Sequence, residues 1–306
     1  MEQTLKIGLY AVPAFLLLMI IEFIGYKLDK DPKSQRAGIS ARDTATSLSI
    51  YALGRITKSL DKFIELPIVV TAAAFAPHTL SSSAWWVWAV AIFLADLAYY
   101  AKHRMAHRIR LFWASHSVHH SSEHFNLSTA VRLPWLIPGS FLTSVVYVPL
   151  ALLGIPAWMI FVSQSIVLLF QYPIHTERIN RLPRPVEYIF NTPSHHRVHH
   201  GANNPYLDKN YGGILIIWDR LFGSYAEETE RVRYGLTKNI NTFNPLKANY
   251  YEFTGLLRDI RHARTWRGRV GYLLQPPGWR EPGGVVEQPA RGPEAVEQPA
   301  KVPVSV

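Results

Sequence analysis

Ten of the 13 histidines in this 306-residue chain fall in four short stretches. These are His103-Arg104-Met105-Ala106-His107, His116-Ser117-Val118-His119-His120, Gln171-Tyr172-Pro173-Ile174-His175 and His195-His196-Arg197-Val198-His199-His200. On a helix, residues four apart differ in direction by about 40°, so His103 and His107 can present two imidazoles to one ion. His116, His119 and His120 repeat the pattern at i, i+3, i+4, as do His196, His199 and His200, each triplet covering about 100° of a helix face. Helix is expected for the last block because Thr192 can cap it, Pro193 suits its first turn and Gly201 can stop it. Gln171 stands four residues before His175, where an amide can take the place of another imidazole, although Pro173 interrupts regular helix between them. Imidazoles packed together gain nothing without a cation, since any that protonate repel one another. Imidazole suits Zn, Cu, Fe or Ni. The candidate ligands His103, His107, His116, His119, His120, His175, His195, His196, His199, His200 and Gln171 exceed the three or four of one site, so two ions are expected. His78, His124 and His262 stand apart and read as ordinary polar residues.

The elements that must carry these ligands look apolar. Hydrophobic residues make up 48% of the chain and charged residues 18%, below the roughly 25% charged of a soluble domain. The absence of cysteine excludes disulfide scaffolds, thiolate zinc sites, iron–sulfur clusters and cysteine nucleophiles. No Lys or Arg lies between Phe63 and Ala101 or between Leu133 and Glu177, and each gap is long enough for two membrane spans joined by a turn. Together with Ile7 to Tyr26, expected to be a retained helix rather than a cleaved signal, the gaps predict five spans. The other four run roughly from Asp61 to Leu80, Trp85 to Lys102, Pro134 to Leu153 and Ala157 to Tyr172. Basic residues cluster at 27–62, 102–132 and beyond 178, so the positive-inside rule predicts a multi-pass membrane protein with its histidines on the cytoplasmic side. The net charge of +10 is then explained without nucleic acid. The expected fold is all-α, an integral membrane helical bundle under a cytoplasmic histidine-rich helical cap. Its expected parts are a transmembrane region over 1–172, a cap over 173–274 and a disordered Pro, Gly, Glu and Val tail over 275–306.

The three histidine blocks in this order resemble the eight-histidine signature of the fatty acid hydroxylase and sterol desaturase superfamily. The likeness runs from about Ala95 to Tyr225. Within the superfamily, 121–123, 126–130, 175–177, 191–201, 208–213 and 218–223 are most similar to the alkylglycerol monooxygenase branch. The resemblance implies a dinuclear non-haem iron centre, O2 as co-substrate and oxidative attack on the alkyl chain of a lipid. In the glyceryl-ether enzymes it also implies a reduced pterin as electron source. One position departs: that branch has Glu after the second histidine of the first block, and here Arg108 follows His107. Reversing the charge there predicts another lipid chain as substrate, with an anionic headgroup on Arg108, and little pterin-dependent ether cleavage.

Hydroxylation and desaturation share their first hydrogen abstraction, and the resemblance favours hydroxylation. Lacking a G-x-G-x-x-G, a P-loop and a fused haem module, the chain is expected to take electrons from a separate donor, a carrier protein or a reduced pterin. Asp96, two helical turns before His103, is a candidate partner behind the ligands or a polar gate. Glu123, Asn126, Asp208 and Asp219 are candidates to orient imidazoles or touch a headgroup. Two other classes fit the residues less well. A metal transporter would set its ligands near the bilayer midplane, and a zinc hydrolase would show a nearby Glu base, as in H-E-x-x-H, which is absent.

Overall fold

A computed structural model of the chain describes residues 2–29, 36–135 and 144–283, with backbone alone at 2–11, 58–62 and 64. Its regular elements are helices, and among the described residues no strand forms. In chain order they are α1 (Glu2–Leu28), α2 (Ala41–Ala74), α3 (Trp85–Arg108), α4 (Arg110–His120), α5 (Leu127–Ala130), α6 (Val148–Leu152), α7 (Ala157–Gln171), α8 (Arg184–Ile189), α9 (Pro193–His199), α10 (Ile217–Leu221), α11 (Pro245–His262) and α12 (Trp266–Leu274).

Helix α3 is the axis. Ala91, Ala95 and Ala98 lie along one stripe of it, and their small side chains let α7 approach closely, with Met159, Ile160 and Val167 filling the seam. Val69 and Ala72 of α2 close the same core. Helix α4 leaves α3 after a one-residue break at Ile109 and is gripped by α11 and α12. The grip is ionic as well as apolar, since the buried Arg110 meets Glu252 at 3.2 Å and Asp259 at 2.6 Å while Ala114 packs on Leu256 and Tyr272. The far end of α4 is tied to α2 by the buried Arg132–Asp43 pair at 2.9 Å, whose guanidinium also donates to the Val118 carbonyl.

The five-span expectation is corrected. No helix of the described residues is long and apolar enough to cross a membrane. The stretch expected to span at 61–80 is the end of α2, a 34-residue helix whose earlier turns carry Arg42, Asp43, Arg55, Lys58, Asp61 and Lys62, and it stops at Ala74. In α3 the apolar run is diluted by Trp85, Trp86, Trp88, Tyr99 and Tyr100 and interrupted by Asp96 and Lys102. The second hairpin yields the five-residue α6 and the 15-residue α7, shorter than the ~20 residues a span needs; positions 136–143 of its first span lie outside the described residues. The described side chains of α1, residues 12–28, also fall short of a span and include the buried Glu22, which accepts from the Leu127 amide at 2.8 Å. The inside–outside assignment depended on those spans and goes with them. Of the expected tail, 284–306 lies outside the described residues, while 275–283 packs: Gln275 accepts from the Arg110 amide and Glu281 from Arg264 and Thr265.

Candidate metal centre

Nine of the clustered histidines converge, in two sets. His103, His107, His116, His120 and His199 form one, and His119, His175, His196 and His200 the other, with the potential ligand atoms of each set within 4.8 Å of one another. Helical periodicity produces the division. In α3, His103 and His107 are four apart and both enter the five-histidine set. In α4, His116 and His120 are four apart and enter that set, while His119, turned by about 100° from His120, enters the other. Helix α9 does the reverse: His196 and His200 enter the four-histidine set and His199 crosses to the five. The two sets abut, with the His120 and His200 rings stacked at 4.3 Å.

Local chemistry fixes the carriers. Thr192 caps α9 and Pro193 occupies its first turn, as its sequence predicts. Helix α7 ends at Gln171, and the Gln171 carbonyl accepts from His175 Nδ1 at 2.7 Å. Tyr211 O accepts from His103 Nδ1 at 2.9 Å and Lys209 O from His199 Nδ1 at 3.0 Å. Because those Nδ1 atoms carry the protons, the Nε2 atoms of His103, His175 and His199 present lone pairs.

These lone pairs face other ring nitrogens. His116 Nε2 lies 3.0 Å from His103 Nε2 and 3.2 Å from His120 Nε2, and His175 Nε2 lies 3.2 Å from His119 Nε2 and 2.9 Å from His196 Nε2. Nε2 of His107, His199 and His200 is buried with no hydrogen-bond partner. Neighbouring ligands about 2.1 Å from a shared cation and near right angles to each other would stand about 3.0 Å apart. The donor set, its spacing and its orphaned nitrogens therefore fit a metal ion in each set. Burial lowers the pKa of every one of the nine, in His103, aided by His107, to about 3 and in His175 to about 4. At neutral pH all nine are unprotonated, the form a metal requires.

Aromatic rings pack around both sets. Phe125 lies against His175, His196 and His200 and is backed by Tyr234, while Trp113 covers His107 and His120. The sequence carried one signal for Trp113, its place three residues before His116 on the same helix; Phe125 had none. A cavity of about 100 Å³ reaches the five-histidine set, lined by Tyr99, Lys102, Phe112 and Pro134 with His103 and His116 at its side.

The remaining candidates lie elsewhere. His195 Nε2 meets Glu187 at 3.1 Å and its Nδ1 accepts from the Thr192 amide at 3.4 Å, so both nitrogens are used outside the clusters. The Gln171 side chain donates to Val167 O. Asp96 accepts from the amides of Ile214 and Leu215 and from the Trp218 indole, bracing 211–218 against α3, and burial raises its carboxyl pKa. Gly213 is required there, because a Cβ would stand 2.5 Å from Asp96 Oδ1. Asn126 caps α5, and Glu123 is exposed beside Gly235. Asp219 accepts from the Tyr211 and Gly212 amides. Of the acidic candidates only Asp208 approaches a ligand, its Oδ1 3.6 Å from His107 Nδ1, with Oδ2 3.1 Å from Arg108. Burial alone would raise the Asp208 carboxyl, but His107 and Arg108 outweigh it and hold it below the usual carboxylate range.

Residues 88–224, which hold all nine converging histidines, match the fatty acid hydroxylase family model. The chain is 39% identical to alkylglycerol monooxygenase of Homo sapiens over 272 residues, which is 88% of this chain and 59% of that protein. It is 38% identical to alkylglycerol monooxygenase of Danio rerio, over 91% of this chain and 61% of that one. A third relative, ornithine lipid hydroxylase OlsE of Rhizobium tropici, is 32% identical over 136 residues, 43% of this chain and 39% of the relative. The chain spans about three fifths of the length of the alkylglycerol monooxygenases it matches. No solved structure matches it.

Proposed function

We propose that this chain is an O2-dependent monooxygenase that hydroxylates the alkyl chain of a lipid at a pair of iron ions held by the two histidine sets. The observation that carries the proposal is the convergence of nine unprotonated imidazoles, eight of them buried, in two abutting sets inside the stretch that matches the fatty acid hydroxylase family. The relatives' names, alkylglycerol monooxygenase and ornithine lipid hydroxylase, supply the substrate class. Iron bound there would supply O2 activation strong enough to oxidise an unactivated C–H bond. His103, His107, His116, His120 and His199 would hold one ion and His119, His175, His196 and His200 the other.

The chain's own residues do the rest. Phe125, Trp113 and Tyr234 exclude water, and the cavity beside His103 and His116 receives the chain segment to be oxidised, with Tyr99 and Phe112 giving apolar contact. The net reaction converts C–H, O2, a pair of electrons and a pair of protons into C–OH and water. The electrons come from a separate donor, a carrier protein or a reduced pterin. The substrate is met at a lipid surface, for which the exposed Leu17, Ile20, Ile21 and Ile24 of α1 and Trp85 of α3 are suited. Neither histidine set contains a carboxylate, unlike a hydrolytic zinc site with its acid–base residue.

A second, narrower assignment is alkylglycerol oxidation with reduced pterin, favoured by the 39% identity over most of the chain. Against it stands Arg108, and Arg108 is already engaged by Asp208 at 3.1 Å, which leaves an anionic headgroup to share that cation. Lipid mass spectrometry of cells expressing the wild-type chain or His199→Ala tests the broad proposal. A hydroxylated lipid confined to the wild type supports it, and identical lipid profiles refute it. Robust turnover of an alkylglycerol with reduced pterin by purified protein would establish the narrower assignment.

A further inference from the structure

The two histidine sets are held from behind in different ways. Behind the five-histidine set runs a single short segment, 208–211. Its Lys209 carbonyl takes the Nδ1 proton of His199 and its Tyr211 carbonyl that of His103, while the Asp208 carboxylate faces His107 Nδ1. The segment can do this because its backbone reverses twice: Asp208 has φ 58° and Asn210 φ 55°, the left-handed region that Asp and Asn tolerate best among residues with side chains. It is also pinned. Asn210 donates to His195 O and Ala226 O and accepts from the Ala226 amide, and Asp219 takes both the Tyr211 and Gly212 amides.

The four-histidine set has no such support. Only His175 has an acceptor in hydrogen-bond geometry, the Gln171 carbonyl. His196 Nδ1 is buried with no partner, and His119 Nδ1 lies near the Arg132 carbonyl without forming a proper hydrogen bond. An imidazole that binds a cation through Nε2 must keep its proton on Nδ1, and burying that N–H without an acceptor costs free energy. A partner behind a metal-bound imidazole typically changes metal affinity by about 10- to 100-fold.

We propose that the two sets are unequal metal sites, and that the 208–211 segment, with Asp208 as its positioning carboxylate, makes the five-histidine site the tighter one. That site fills first and releases last, and the four-histidine site is the exchangeable one. Arg108 opposes the effect, because its guanidinium competes for the same carboxylate and adds a positive charge near an incoming cation. The inference rests on taking both sets as metal sites, as under the proposed function.

Titration of the metal-free full chain with Co2+ alone, anaerobically and against a competing chelator, followed by optical absorption and metal content, tests it. Two steps are expected. Asp208→Asn, which keeps a side chain suited to φ 58°, should weaken the tighter step about 10- to 100-fold and leave the weaker one in place. Arg108→Gln should move the tighter step the other way. His196→Ala should remove only the weaker step. Opposite shifts from Asp208→Asn and Arg108→Gln cannot come from general structural damage, which would weaken both steps in both variants. Two ions binding in one indistinguishable step, or Asp208→Asn weakening both steps alike, would overturn the inequality and leave the metal sites standing. No binding at all would overturn both proposals.

Discussion

Without a bound metal ion, lowering the pH should unfold this chain, and the histidines set the size of the effect. An unfolded imidazole titrates near pH 6.5. In the folded chain burial holds His103 at about 3 and His175 at about 4 and pushes His116, His119, His120, His196, His199 and His200 well below their usual value. The folded state therefore stays unprotonated while the unfolded state takes up protons, so stability is full above pH ~6.5 and falls as the pH drops through it. Between pH ~7.5 and ~5.5 each such group contributes a loss on the order of 1 kcal/mol, and eight together on the order of 10 kcal/mol. Domains of this size have about 5–15 kcal/mol to lose. Urea unfolding of metal-free protein, followed by tryptophan fluorescence, should show the midpoint collapsing across this window with an uptake of several protons. Metal-loaded protein should hold to lower pH, because protons must compete with the ion for the same lone pairs. A metal-free midpoint that stays level from pH ~7.5 to ~5.5 would refute the idea that these imidazoles are buried unprotonated without their cation.

Metal content should separate the two kinds of histidine in the last block: His199→Gln lowers it, whereas His195→Gln leaves it unchanged and lowers the melting temperature through the lost contacts to Glu187 and the Thr192 amide. The brace behind the site should be sensitive to single atoms. Gly213→Ala forces a Cβ to within 2.6 Å of Val167 Cγ1 and 2.5 Å of Asp96 Oδ1, for a loss of about 1–3 kcal/mol in urea unfolding. Asp96→Ala, which leaves two backbone amides and an indole N–H without their acceptor, should cost at least as much.

The helices that carry the ligands were legible because they are short-range objects. Thr192, Pro193 and Gly201 are local signals whose effect does not depend on the rest of the chain, and α9 forms where they place it. The expected membrane spans do not form because a gap in Lys and Arg is not by itself a continuous apolar helix. In α3 the gap is filled partly by Trp and Tyr, and Asp96 turns inward to hold a distant loop that no local pattern announces. Asp208 looked like several other acidic residues in the sequence. What sets it apart is the backbone at 208–210, whose left-handed residues turn one carboxylate and two carbonyls toward three imidazoles that come from α3 and α9.

The histidine doublets are what divides the ligands between the two sets. Each H-x-x-H-H block spreads its three histidines over about 100° of one helix face. Yet the first and last residues of the block, four apart, differ by only about 40°, while the two adjacent ones diverge by about 100°. A pair of ions side by side is what two such helices can serve if each sends its four-apart pair to one ion and its odd histidine to the other. That is the observed arrangement: His116 and His120 with His199 on one side, His196 and His200 with His119 on the other. Exchange of this kind ties the two sites together mechanically, since a shift of α4 or α9 moves ligands of both. His195 stays outside both sets even though, four residues before His199, it points only about 40° away from it. Its Nε2 meets Glu187 at 3.1 Å and its Nδ1 the Thr192 amide, so neither nitrogen reaches the other imidazoles.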